Sequence, residues 1–341
     1  MMGKSVTRLK DIALQTGFSV NTVSLALRDS PRITKDTREL ITKAANELNY
    51  LPNQVAQSLV RQETRSIGLI LTDLTNPVLT AVAQAVELEL SKRGYTTLFA
   101  TSNHNIDIEQ QMIETFRARR ADGMLIFPCN HQELDHIRTL RARNYPVVLL
   151  VADPQASIDA VCIHEKVGAY KAVKHLIDMG HRKIGLIDNA SDRGNSAKPD
   201  GYAMALSEAG IELDPRMMVE PRDASVEAGY LAIERLLAAQ TGATAVFAAN
   251  DSLALGALRY CAKFGVKVPE TLAIIGFDNI EFGEFAITPI STINYEIERI
   301  SALAIDRVLE LIDCPDELPE PRTTQIEPDL VIRESTDKRL A

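Results

Sequence analysis

The chain has 341 residues, 45% of them hydrophobic and 24% charged, with four cysteines and no tryptophan, a length that as a prior suggests two or three domains of ordinary size and leaves ample apolar material for a large core. Its net charge of −9 argues against a nucleic-acid partner for the chain taken as a whole, and it holds no apolar run of about 20 residues to cross a membrane. Met1-Met2-Gly3-Lys4-Ser5 lacks the apolar stretch of a secretory signal, so the expected location is the cytoplasm. Cys129, Cys162, Cys261 and Cys314 are far apart and form no C-x-x-C pair, so they are expected as reduced, buried thiols.

The charge is unevenly spread. Residues 1–62 hold nine Lys/Arg against five Asp/Glu, a balance of +4 that leaves −13 for the remainder. A small basic head on a large acidic body is the electrostatic layout of a tethered DNA reader.

In chain order, residues 8–16 form the first predicted helix, with Ile12 and Ala13 facing inward, and Gly17-Phe18-Ser19 breaks it. Ser19 is suited to cap a second helix over 20–27. A third runs from about 35 to 49 behind Thr34; its Leu40, Ile41, Ala44 and Leu48 recur at spacings of three and four, which buries one face. Two helices crossing steeply need a small residue at closest approach, and Ala13 supplies it. The tight turn needs a residue that tolerates positive φ, and Gly17 supplies it, while Val23 plugs the core. In such a helix-turn-helix the second helix enters the major groove with its N-terminal residues at the base edges. Ser19, Val20, Asn21, Thr22 and Ser24 are the candidates: Asn21 can pair bidentately with adenine, and a Thr or Val methyl can meet that of thymine. Arg28, Thr34, Lys35 and Thr37 sit where phosphates would be gripped, which sets position and salt dependence rather than sequence choice.

Pro52 ends the third helix and presets a short one over 53–60, too short to be stable alone in water. Its Val-Ala-Leu content is unusual for a linker. A helix that orders only on DNA, with Leu59 as an apolar wedge between base steps, accounts for it.

At this point the sequence resembles a known family. Residues 7–61, with Val20-Asn21-Thr22-Val23-Ser24, Thr37-Arg38-Glu39, Leu48-Asn49-Tyr50-Leu51-Pro52-Asn53 and Val55-Ala56-Gln57-Ser58-Leu59, are similar to the head and hinge of the LacI/GalR repressors. The similarity continues to Val331-Ile332-Arg333-Glu334-Ser335. It implies a homodimer on a near-palindromic operator, with the Leu59 pair entering the minor groove at its centre, and it adds Leu9, Leu25, Asn53 and Ala56 to the DNA-facing set. Leu25 stands where the family usually has an arginine that helps read the operator, which implies an altered base preference. Arg8 stands where the first helix usually has a threonine cap.

From Arg65 onward, apolar strands alternate with amphipathic helices. Strands are predicted at 66–71, 96–100, 124–127, 147–150, 160–163, 183–187, 245–248 and 273–277. The helices between them fall at 77–93, 107–119, 133–143, 166–179, 196–209, 226–237 and 251–264. Repeated β-α-β means parallel sheets covered by helices, and two such series make two subdomains with a cleft between them. Segments near 291–294 and 323–332 are expected to cross back as hinges. The fold class is thus an all-α helix-turn-helix head joined by a hinge helix to an α/β body of two parallel-sheet subdomains, which the resemblance makes periplasmic-binding-protein-like. The expected domains are 1–50, a hinge at 51–64, and 65–341. Within the last, the N-terminal subdomain takes about 65–163 plus 295–324, and the C-terminal subdomain about 164–292 plus 325–335.

Ligands of open α/β sheets sit beyond the carboxyl ends of the strands. That rule selects Asp73, Pro128 to Asn130, Asp153, Asn250-Asp251 and Asp278-Asn279, with Lys198 opening a helix nearby. The resemblance makes Lys198, Asn250 and Asp278 the effector residues, with Asp73 and Asp153 beside them, whereas Asp251 reads as a helix cap. Lys198 replaces a frequent arginine, Val78 and Leu79 replace aromatics, Ala224 stands where Phe or Trp often covers a ligand, and Val151 falls where some members have aspartate. A stacked purine is therefore not expected; a sugar, a small polyol, an organic acid or a phosphorylated metabolite fits the polar residues.

No G-x-G-x-x-G follows the first strand, and neither a Walker sequence nor a G-x-S-x-G elbow occurs. His131 and His136 lack H-E-x-x-H spacing and read as a solvated helix face. No enzyme, cofactor or metal site is expected. The alternatives are a solute-binding protein, which would need an export signal and no head, and a sugar-metabolising enzyme, which would need a catalytic constellation. No leucine heptad follows Glu334-Ser335, so a dimer is expected rather than a coiled-coil tetramer.

Overall fold

The computed structural model describes residues 7–50, 63–152, 155–189, 195–314, 316–337 and 339. It divides into two compact units, Met1–Thr64 and Arg65–Ala341. The expected hinge helix, with Asn53, Ala56 and Leu59, and the candidate Asp153 lie outside the described residues. Among the described residues, no helix is long and apolar enough to cross a membrane.

The first unit contains α1 (Leu9–Thr16), α2 (Val20–Leu27) and α3 (Lys35–Glu47). Ile12, Val23, Ala26, Ile41, Ala44 and Ala45 form its core. Gly17 closes α1 at φ 74°, its N–H donating to the Ala13 carbonyl at 2.9 Å, a left-handed conformation that glycine adopts at little cost. Leu40, expected in the core, is 50% exposed. The buried stripe of α3 is Ile41, Ala44 and Ala45 at i, i+3 and i+4, continued by the half-buried Leu48 just past its end, and Leu40 lies about 100° away from Ile41 around the helix.

The second unit opens with β1 (Ser66–Leu71), α4 (Pro77–Lys92), β2 (Thr96–Thr101), α5 (Ile106–Ala118), β3 (Gly123–Ile126), α6 (Asp135–Ala142), β4 (Val147–Leu149) and β5 (Asp159–Ile163). All six residues of β1 are buried, as expected of a strand covered on both faces of a parallel sheet. With β11 (Thr323–Ile326), these strands form a six-stranded parallel sheet in the order β11-β5-β4-β3-β1-β2. The chain then builds a second subdomain from α7 (Glu165–Asp178), β6 (Ile184–Ile187), α8 (Ala197–Glu208), β7 (Met218–Val219), α9 (Val226–Ala238), β8 (Ala245–Ala248), α10 (Asp251–Phe264), β9 (Ala273–Ile275) and α11 (Glu281–Glu284). Its sheet is parallel, in the order β7-β6-β8-β9.

Two segments cross between the sheets as an antiparallel pair, β10 (Thr292–Ile293) with β12 (Leu330–Val331). Between them runs α12 (Ile297–Ile312), a helix the sequence reading did not place. It buries Ile300, Ala304, Ile305, Val308 and Leu311 in the core that covers the first sheet. Gln325 and Ile326, expected in the C-terminal subdomain, pair with Cys162 and Ile163 in the N-terminal sheet instead. Arg141 and Arg307 both bind the fully buried Asp159, at 2.9 and 2.6 Å, fastening α6 and α12 to β5. Cys129, Cys162 and Cys261 are buried free thiols, whereas Cys314 is only half-buried.

Candidate functional site

The head presents one end of α2. Ser19 caps the helix: its hydroxyl oxygen accepts the Thr22 N–H at 3.1 Å and lies 2.8 Å from the Thr22 hydroxyl. The cap holds the first turn open to solvent, with Val20 46% exposed and Asn21 exposed beside it. The Asn21 amide makes no hydrogen bond among the described residues, so its donor and acceptor are free for a base edge. Ser24 and Leu25 are half-buried, and Leu9 packs against the core of the head. Arg28 is exposed, its Nε donating to the Ser24 carbonyl at 3.1 Å. Thr34 precedes α3 without a side-chain cap, its hydroxyl donating to Thr37 at 2.9 Å. Arg38 braces the connection between α2 and α3 by donating to the carbonyls of Ser30 and Ile33 and pairing with Asp29. The N–H of Arg8 donates to the Asp11 carboxylate at 2.7 Å.

In the second unit, a cavity of about 100 Å³ lies between the two subdomains. Lys198, Asn250 and Asp278 come together on its wall, where Asn76, Glu165, Asp188, Asn189 and Asn195 supply further polar groups. Val78, Leu79, Phe127, Pro128, Ala224 and Tyr295 supply the apolar ones. An adjoining space of about 260 Å³ shares His131, Glu165, Asn195 and Tyr295 and is also bounded by Val151. A few convergent polar groups on an apolar lining is the make-up of a small-molecule site.

Lys198 organises the polar side. Its Nζ donates to the Ala249 carbonyl at 2.8 Å, lies 3.5 Å from Glu165 and sits 4.1 Å from the centre of the Phe277 ring. Burial disfavours the ammonium, but the carboxylates of Glu165, Asp278 and Asp188 outweigh it and hold the Lys198 pKa above its ordinary value. Burial likewise disfavours the Glu165 anion, but Lys198 and the Asn195 amide, at 2.7 Å, keep its pKa low. Asp278 is pushed well above the usual carboxylate range by burial, which Lys198 only partly opposes. Asn250 is the N-cap of α10, its Oδ1 accepting the Leu253 N–H at 2.8 Å, so its NH₂ is the group left for a ligand.

Two residues take other roles. Asp73 is not among the cavity residues. Its carboxylate accepts the N–H groups of Thr75 and Asn76, and His104, 3.0 Å away, leads in holding its pKa low; it shapes the turn that delivers Asn76 to the cavity. Asp251, read as a cap, is fully buried at the first position of α10, and Asn250 is the cap.

Sequence reasoning missed Glu165 and Asp188. They follow β5 and β6, so the rule that selected Asp278 applied to both. The histidines at 131 and 136 do not share a solvated face. His131 lines the cleft, its ring edge-on to Phe127 at 6.0 Å, and His136 bonds the buried Glu109 at 2.7 Å.

Residues 8–53 match the family model for bacterial regulatory proteins of the lacI family, and residues 173–336 match that of a periplasmic binding protein-like domain. The HTH-type transcriptional repressor PurR of Pasteurella multocida is 33% identical over 339 residues, covering 97% of this chain and 99% of that protein. The chain belongs to the LacI family. It is a DNA-binding transcription regulator with a periplasmic-binding-protein-like effector domain. The ribose operon repressor of Haemophilus influenzae is 34% identical over 328 residues, covering 96% of this chain and 98% of the relative. Among solved structures, the regulator CelR in complex with cellobiose is 28% identical with a TM-score of 0.72, covering 96% of this chain and 99% of that one. The Lac repressor dimer bound to operator, 24% identical, shares the fold with a TM-score of 0.88 over 97% of this chain and 99% of its own.

Proposed function

We propose that this LacI-family chain acts in the cytoplasm as a homodimeric repressor on a near-palindromic operator, released or engaged by a small uncharged polyol or sugar in the cleft. The observation that carries the DNA reading is α2, whose capped first turn offers Val20 and the unbonded Asn21 amide to solvent. In this reading Ser19, Val20, Asn21, Thr22, Ser24 and Leu25 face base edges, and Leu9, Arg28, Thr34 and Thr37 position the head on the backbone. Asn53, Ala56 and Leu59 meet the minor groove, with Leu59 as the wedge. The Lac repressor structure is of a dimer on operator. In this chain the exposed Phe282, Phe285 and Ile287 offer apolar surface of the kind self-association covers.

For the effector, the charge of the cleft decides between the options. Among the described residues, the carboxylates of Glu165 and Asp188 share the cleft with one lysine, which Glu165 already pairs, and burial keeps the proton on Asp278, so an organic acid or a phosphate ester would meet net repulsion from the described groups. Hydroxyl groups can donate to the carboxylates and accept from the Asn250 and Asn76 amides. CelR binds cellobiose, a hydroxyl-rich molecule of this kind. With Lys198 committed to Glu165 and the Ala249 carbonyl, we read the cleft as a binding site and not a catalytic one. A ligand then acts through its different affinities for two arrangements of the subdomains.

The experiment presents the 341-residue chain with a randomised palindromic DNA library. Enrichment of one near-palindromic site, with affinity that falls steeply with salt, is the expected result; absence of enrichment at low salt would refute the reading.

A further inference from the structure

The N-terminal subdomain holds a second cavity, of about 220 Å³, between α5 and α6, and none of its lining residues lines the cleft. We propose that it binds a small oxyanion and that its occupancy is felt in the cleft through His136 and Glu109.

The cation at its wall comes from two arginines. Arg117 on α5 is held by Glu114 at 2.7 and 2.9 Å, so an incoming anion competes with that carboxylate. Arg143, just past α6, makes no ion pair among the described residues. Gln110 adds a neutral polar group, while the Thr139 hydroxyl donates to the Asp135 carbonyl at 2.8 Å. A guanidinium matches the planar geometry of carboxylate and phosphate oxygens.

Behind the arginines lies Glu109, fully buried on α5. A buried carboxylate is costly unless its oxygens are satisfied. Here one oxygen lies 2.7 Å from His136 Nε2, and the other accepts the Cys129 N–H at 2.8 Å. With Nε2 committed, Nδ1 is the remaining polar atom of His136, which lines the cavity. An anion at Nδ1 pulls on the same imidazole ring and tightens its bond from Nε2 to Glu109. Glu109 in turn holds the backbone N–H of Cys129, one residue after Pro128 and two before His131, both in the cleft lining. Three consecutive hydrogen-bonding groups thus lead from the outer cavity to the segment that walls the cleft. The site is independent of what the cleft binds; only the consequence for the effector rests on the proposed function.

The test uses the full chain, whose six histidines are labelled with ¹³C in the imidazole ring and whose cysteines carry ¹⁵N. It is titrated with inorganic phosphate and, separately, with succinate, which distinguishes phosphate from carboxylate chemistry. A saturable shift of the His136 resonance is expected with at least one anion, accompanied by shifts of His131 and of the Cys129 amide at the same midpoint. Arg143→Gln should weaken the apparent Kd about tenfold, the loss of roughly one charge-assisted contact. Glu109→Gln should leave His131 unresponsive; should that variant not fold, the Cys129 amide of the unsubstituted chain reads the same relay. No saturable His136 shift with either anion, or an equal shift in Arg143→Gln, meaning an adventitious ion only, overturns the site. Saturation at His136 with Cys129 and His131 unmoved overturns the coupling. None of these readouts involves DNA or effector, so their failure is separable from failure of the repressor reading.

Discussion

Thr292 donates its hydroxyl to the Asp251 carboxylate at 2.7 Å, and the other Asp251 oxygen accepts the Ile280 N–H at 2.9 Å. Asp251 begins the helix that Asn250 caps, Ile280 follows Asp278 by two residues, and Thr292 lies in crossover strand β10. One buried side chain therefore joins two cleft residues to the strand by which the chain leaves the C-terminal subdomain. Gly276 is what makes room for it, since a Cβ there would stand 2.0 Å from Asp251 Oδ1.

This arrangement has a pH signature. Burial pushes the Asp251 pKa up to about 7, whereas an unfolded aspartate loses its proton near pH 4. Between those values the folded chain binds more protons than the unfolded chain, so stability falls as pH rises, by at most about 1.4 kcal/mol per pH unit for one group. Asp278, also raised, acts in the same direction. Asp251→Asn should flatten the decline without abolishing it. Melting temperatures between pH 4.5 and 7.5 check this, and parallel curves for the two proteins would contradict it.

The pairing of α9 with α10 depends on two glycines. A Cβ on Gly256 would lie 2.0 Å from the Val226 carbonyl oxygen, and one on Gly229 would lie 2.2 Å from that of Leu253. Both obstacles are backbone, so the helices must separate to admit a methyl group. Gly256→Ala is expected to destabilise the body by about 2 kcal/mol or more, read as a lower urea midpoint; an unchanged midpoint would show that the helices yield freely.

Lys198 should matter to stability as well as to ligand. Removing one partner of a buried ion pair leaves the other charge uncompensated, at a cost of about 3–5 kcal/mol. The Lys198–Glu165 pair is 12% and 20% exposed, so Lys198→Met, which strands Glu165 beside Asp188, should cost less than that range, and Lys198→Arg, which keeps the charge, well under half of the Lys198→Met loss. Chemical denaturation of the two variants distinguishes them, and equal losses would mean that shape rather than charge matters there.

Much of this was legible in the sequence because periodicity and local chemistry agree. The Ser19 cap, the Gly17 turn and the Asn76-Pro77 helix start stand where their residue types require. What escaped depends on tertiary neighbours. Helix α12 carries a plain i, i+3, i+4 pattern at Ile300, Ala304, Val308 and Leu311, but it lies between the two crossing segments, in a stretch given to the N-terminal subdomain without an element of its own. Strand β7 is two residues long, too short for any period. Glu109 and His136 are 27 positions apart, and only their meeting inside the subdomain converts a surface-looking histidine into the partner of a buried acid. Asp251 and Asn250 are adjacent and both suited to capping; the choice between them is made by Gly276 and Thr292, which sequence alone does not bring near.

In the proposed reading, the head separates base reading from backbone grip by residue. Asn21→Ala removes an exposed amide that nothing else in the described head engages, so its loss should leave folding intact and cost about 1–3 kcal/mol on the selected operator, with little change on random DNA. Arg28→Ala removes a charge at the far end of the same helix. It should weaken both DNAs by similar factors and reduce the slope of log affinity against log salt by about one. Leu59→Ala should resemble Asn21→Ala in sparing random DNA, since unstacking a step is rewarded only where the whole site is engaged. Titrations of both DNAs at several salt concentrations resolve the three variants. Should Asn21→Ala lose equally on operator and random DNA, the amide would belong to the phosphate grip and the base-reading role would pass to Val20 and Leu25.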